Sequence, residues 1–177
     1  MSKHYEHGTA LSQKILNGVN LLADYTAATL GPRGRNVILQ SADGKPIITK
    51  DGVTVARHVD VEDPFENVGA QIIKQASAQT NSAAGDGTTT ATVLAREILE
   101  QSQRYLASGM SPIELKRGVD KAVAAIVENL KEMAQPIRSK EDIAHVATIS
   151  ANNDRKLGDL VATAVDSVGK DGAVTVE

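Results

Sequence analysis

Apolar residues recur at three- and four-residue steps between Ala10 and Leu30, at Leu11, Ile15, Val19, Leu22, Ala23 and Ala27. That spacing marks one buried face of a helix, which ends at Gly31-Pro32. Beyond it, Asn36 to Gln40 and Pro46 to Lys50 are short β-prone runs bracketing Ala42-Asp43-Gly44-Lys45, and the Asp-Gly pair favours a tight turn, so a small β-hairpin is expected. Asp63-Pro64-Phe65-Glu66 sets an N-cap acceptor, a proline at the first helical position and a capping-box glutamate in order. A helix is expected from there to about Asn81.

After a glycine-rich turn, Thr88 to Ala107 carries Val93, Leu94, Ile98, Leu99, Tyr105 and Leu106 on helical spacing, and Gly109 supplies a stop. Ser111-Pro112-Ile113-Glu114 repeats the starting signature and opens a helix through about Met133, with Val119, Val123, Ile126 and Leu130 expected to face inward. Gln135-Pro136 breaks the pattern, which suggests a domain boundary near residue 136. A shorter helix from Ser139 toward Val146 and another from about Asp154 to Val168 follow. The chain then turns at Gly169-Lys170-Asp171-Gly172 and enters a β-like run, Ala173 to Glu177. An unpaired strand is a rare way for a domain to end, so truncation is expected. The pattern is mainly α with one hairpin, without internal repeats.

Composition narrows the classes of function. With 177 residues and 41% hydrophobic content the chain can fill a core, but only 2% is aromatic, with no Trp and one Phe. The core must therefore be Ala, Val, Leu and Ile between helices, and stacked-aromatic nucleic-acid binding is disfavoured. A net charge of -3 with interspersed signs offers no basic stripe for a nucleic acid or a membrane surface. The absence of Cys removes disulfides and thiolate chemistry. The polar start and the lack of a long apolar run make the cytoplasm the default compartment.

The strongest local chemistry lies in Gly85-Asp86-Gly87-Thr88-Thr89-Thr90, a flexible turn that feeds a helix N-terminus. Glycines let the backbone approach a phosphate, while free amides and hydroxyls can donate to it. Asp86 would repel a bare phosphate, which argues for an intervening Mg²⁺. The same residues also suit an ordinary capped helix start with no ligand. Thr29-Leu30-Gly31-Pro32-Arg33-Gly34-Arg35 and Lys50-Asp51-Gly52-Val53-Thr54 are turns of similar composition. Taken alone, each more often serves as a solvated turn. The histidines at 4, 7, 58 and 145 have no paired metal-ligand spacing outside the N-terminal arm, and neither a Walker-type Gly-Lys-Ser/Thr signature nor a nucleophile elbow is present.

Three segments in order, Thr29 to Asn36, Thr49 to Ala56 and Ala84 to Leu94, resemble the nucleotide-binding motifs of group I chaperonins of the GroEL type. Leu115 to Val123 and Thr148 to Asn152 are similar to the same family, so the likeness spans nearly the whole chain. The resemblance implies a helical equatorial ATP-binding domain over residues 1–135 and the start of an intermediate domain over 136–177, with the apical domain absent. It implies that Thr29, Leu30, Gly31 and Pro32 border ATP, and that Gly87, Thr88, Thr89 and Thr90 bind its phosphates. Asp86 would hold Mg²⁺, Lys50 would lie near the phosphates, Asp51 would help organise the attacking water and Ile149 would touch the base region. The partners it implies are further copies in a heptameric ring, a lid-like co-chaperonin and non-native proteins. Two departures stand out: Lys3-His4-Tyr5-Glu6-His7 differs from the family's usual opening, and Arg33 replaces its commoner lysine.

The leading expectation is an ATP-dependent folding machine represented by an incomplete chain. The alternatives are a shortened subunit that binds nucleotide or co-assembles without turnover, and a fragment with no function.

Overall fold

The computed structural model describes residues 5–41, 43–169 and 172–175. Two compact units emerge, 1–110 and 111–177.

The first unit begins with α1 (Gly8–Ala27), followed by strands β1 (Val37–Gln40) and β2 (Pro46–Thr49), then α2 (Gly52–His58), α3 (Pro64–Ala84) and α4 (Thr88–Ala107). The strands pair antiparallel with Val37 opposite Thr49 and Gln40 opposite Pro46, as the hairpin pattern predicts; of the turn, Ala42 lies outside the described residues. Asp63 caps α3 by accepting from the backbone N–H groups of Phe65 and Glu66 at 2.8 and 3.2 Å. The helix runs three residues past Asn81 and stops where Gly85 turns left-handed at φ 69° and donates its N–H to the Asn81 carbonyl.

Helix α2 is absent from the reading of the sequence, which took Lys50 to Thr54 as a turn. Asp51 caps it, accepting from Val53 and Thr54 N–H, and this end-cap supplies what seven residues of propensity could not. Val55, Ala56 and the adjoining Val59 then bury against Val19 and Leu22 of α1 and Ala70 and Ile73 of α3. On α4 the inner stripe is Thr88, Thr92, Ala95 and Leu99, whereas Leu94, Ile98 and Tyr105 are exposed.

Helices α1 and α3 touch through their backbones. A Cβ on Gly18 would lie 1.7 Å from the Glu66 carbonyl oxygen, and one on Gly69 would lie 2.0 Å from that of Ile15. Reciprocal glycines thus set the crossing. Near it, Lys14 Nζ bonds Glu6 at 2.6 Å and Asp63 at 2.9 Å and sits 5.4 Å from the Phe65 ring centroid.

The second unit holds α5 (Pro112–Met133), α6 (Lys140–Ser150) and α7 (Arg155–Val168). Ser139 and Asp142 form a reciprocal capping box that starts α6, which runs past Val146. Asp154 caps α7 through the Leu157 N–H, and Gly158 lets α7 approach Thr148 of α6, where a Cβ would fall 2.8 Å from the Thr148 Cα. A groove of about 630 Å³ runs along this pair. The inward placement expected on α5 is corrected: no residue of α5 is buried, and Val123, Ile126 and Leu130 are 47%, 56% and 57% exposed. Spacing identifies residues that share a face, but burial also requires a neighbour to cover it. No strand forms over Ala173 to Thr175; Lys170, Asp171, Val176 and Glu177 lie outside the described residues.

Two predictions follow from the first unit's packing. Gly69→Ala should lower stability by about 1–3 kcal/mol, the usual cost of forcing a side chain into a filled contact, measured as a drop in the denaturant midpoint; an unchanged midpoint would refute the backbone contact. Lys14 and the capping amides hold the Asp63 carboxyl below its ordinary range. A carboxyl depressed in the folded state stabilises above its unfolded pKa and ceases to do so as pH falls through the folded value. Asp63→Asn keeps a capping oxygen but cannot titrate, so from about pH 5 to about pH 2 its melting temperature should fall less steeply than that of the wild type.

Candidate functional site

The three motifs that the sequence singles out occupy a helix C-terminus and two helix N-termini of the first unit. The first follows α1. The Thr29 and Leu30 N–H groups bond back to Thr26 and Ala27, Gly31 is left-handed at φ 72°, and Arg35 N–H returns to the Ala28 carbonyl at 2.7 Å. Gly34 permits this fold-back, since a Cβ there would lie 2.1 Å from the Thr29 carbonyl oxygen. Leu30, Gly31, Pro32 and Arg33 remain exposed on the loop.

The second motif joins β2 to α2. Lys50 is exposed and Asp51 half-buried. The Asp51 carboxylate accepts from Val53 N–H at 3.3 Å, Thr54 N–H at 3.0 Å and the Thr54 hydroxyl at 2.5 Å. Its own N–H bonds Thr49 Oγ1.

The third joins α3 to α4. Gly85 and Gly87 are both left-handed, at φ 69° and 80°, a conformation that explains glycine on either side of Asp86. Asp86 is exposed. Gly87 is the N-cap of α4 and offers no side chain. The first helical backbone bond runs from Ala91 N–H to the Gly87 carbonyl, so the amides of Thr88, Thr89 and Thr90 precede the helix's own ladder. With the dipole of a 20-residue helix behind them, they make a place for negative charge.

Threonines draw the motifs together. Thr29 Oγ1 and Thr89 Oγ1 stand 3.4 Å apart. Gly52 faces the same point, because a Cβ on it would lie 2.0 Å from Thr89 Oγ1 and 3.2 Å from Thr26 Cγ2. Thr26, Thr29, Thr88 and Thr92 are buried around this contact, and the hydroxyls of Thr26, Thr29 and Thr92 bond the carbonyls of Leu22, Thr26 and Thr88.

Thr29 and Thr89 therefore meet, with Asp51 one residue from the contact at Gly52. Leu30, Gly31, Pro32, Lys50, Asp86, Gly87, Thr88 and Thr90 lie on the segments that flank it. Ile149 belongs to the second unit, half exposed near the end of α6. Gly52, Thr26 and Thr92 were not singled out from sequence, although Asp51-Gly52 with Thr54 three residues after Asp51 is an N-cap signal that also places Gly52 at the first helical position.

Among the described residues no cluster of three or more His, Cys, Asp or Glu side chains could hold a metal. The small residues, uncapped amides and exposed carboxylate fit a phosphate accompanied by a divalent ion, to which Asp86 could offer a carboxylate oxygen. No helix among them is long and apolar enough to cross a membrane.

A family model described as the TCP-1/cpn60 chaperonin family matches residues 22–177, a span that contains all three motifs. The match covers most of the chain: this protein belongs to the TCP-1/cpn60 chaperonin family.

Proposed function

We propose that the first unit binds ATP with Mg²⁺ as part of a group I, ring-forming chaperonin subunit. The observation that carries this reading is the meeting of Thr29, Gly52 and Thr89, which draws three separate glycine-containing motifs to one point. The loop from Thr29 to Pro32 would border the nucleotide, and the amides of Gly87 to Thr90 would receive its phosphates. Lys50 would add positive charge and Asp86 would give one oxygen to Mg²⁺. When bound, that ion offsets the charge of the phosphate oxygens. Asp51 would orient the attacking water with the one lone pair that capping leaves free, on the oxygen that accepts only from Val53 N–H. Ile149 would approach the base.

In this reading residues 1–135 belong to an equatorial-type domain and 136–177 open an intermediate domain. Nucleotide state would bias the conformation of a heptameric ring that takes up non-native proteins under a lid-like co-chaperonin in the cytoplasm. A second reading, nucleotide binding without turnover, is favoured by the commitment of both Asp51 oxygens to the α2 cap.

Two substitutions test these assignments. In assembled subunits containing this segment, Asp86→Ala should reduce Mg²⁺-dependent ATP hydrolysis at least about 100-fold, the scale for losing a charge-stabilising group; turnover at the wild-type rate defeats the metal assignment. Asp51→Asn keeps one of the two capping oxygens and weakens the interaction with water, so the chain should stay folded with a modestly lower melting temperature while hydrolysis falls by about 100-fold or more. Preserved hydrolysis in that variant would leave Asp51 with the cap alone and favour binding without turnover.

A further inference from the structure

Hydroxyl accounting around the meeting point assigns a direction to one proton. Thr29 is 6% exposed and has a single hydroxyl proton. Its oxygen lies 2.8 Å from the Thr26 carbonyl, which can only accept, so the Thr29 proton is committed there. In the 3.4 Å contact between the two hydroxyls, Thr89 must therefore donate and Thr29 accept. Gly52 closes one side of the Thr89 oxygen, for even a methyl group there would overlap it at 2.0 Å.

We propose that Thr29 is a positioning residue that restrains the Thr89 hydroxyl, keeping its proton turned toward α1 until a charged acceptor takes its place. The proposal rests on the nucleotide reading above and concerns the regulation of that same site. At 3.4 Å the hydroxyl pair is longer than ordinary O–H···O bonds, so it yields readily to a phosphate oxygen, whose charge makes the stronger bond. Binding must nevertheless give up the contact with Thr29. Thr29 thus opposes binding through its side chain even though its loop borders the ligand.

The restraint has a distinctive signature. Thr29→Val has nearly the same shape and leaves the Thr26 carbonyl with the backbone N–H of residue 29, at 3.1 Å in the wild type, but it cannot compete for the Thr89 proton. Isothermal titration of the 177-residue chain with the magnesium complex of a non-hydrolysable ATP analogue should give tighter binding for Thr29→Val by about two- to threefold, the low end of the value of one neutral hydrogen bond, as suits so long a contact. Thr29→Ser, which keeps the hydroxyl, should match the wild type. In a Thr89→Val background, Thr29→Val should change nothing, because the effect passes through the Thr89 hydroxyl. Equal or weaker binding by Thr29→Val, or the same gain with Thr89 already replaced, overturns the restraint while leaving the nucleotide site intact. Absence of binding by the wild-type chain overturns both.

Discussion

The backbone contact between α1 and α3, made where Gly18 faces Glu66 and Gly69 faces Ile15, governs the rest of the first unit. With no side chain between them, the helices come close enough for Val19, Leu22 and Ile73 to be excluded from water, with α2 filling the adjoining space through Val55 and Ala56. The same crossing aims the site. Helix α1 delivers Thr29 at its end, and α3 delivers Gly85 and, three residues later, the start of α4. Any change in the separation of the two helices would shift the distance between two of the three motifs.

At the site the packing material changes from aliphatic to hydroxyl. Thr26, Thr29, Thr88 and Thr92 are as buried as the neighbouring Val and Leu residues, yet the hydroxyls of Thr26, Thr29 and Thr92 are satisfied by carbonyls. Threonine is close to valine in shape and can fill the space between helix ends while keeping a polar atom where the three motifs meet. This also suits a chain almost without aromatic residues, in which close approach depends on small side chains and bare backbone.

Helix starts were the most legible feature in the sequence. Asp63-Pro64 and Ser139 carry their cap chemistry locally, and the paired strands follow from the β-prone runs on either side of Asp43-Gly44. Helix α2 was hidden because its seven residues are stabilised by an aspartate cap and tertiary burial, leaving too short a stretch for a helical period to emerge. The α5 stripe misled in the opposite way, for its spacing is that of a packed helix while Val123, Ile126 and Leu130 face water and Val119 is only half-buried. For the candidate site, glycine and threonine content pointed to the segments. The convergence on Gly52 was not readable, since it depends on how α1 and α4 approach one another.

Lys14 joins two different parts of the chain, Glu6 ahead of α1 and Asp63 at the cap of α3. Its ammonium and both carboxylates are about one-third accessible, so dissolved ions reach the cluster and screen it. The aliphatic core beside it carries no charge to screen. Rising ionic strength would therefore loosen the amino-terminal arm before it affected the crossing of α1 and α3, so that the two ends of α1 would respond unequally to the surrounding electrolyte.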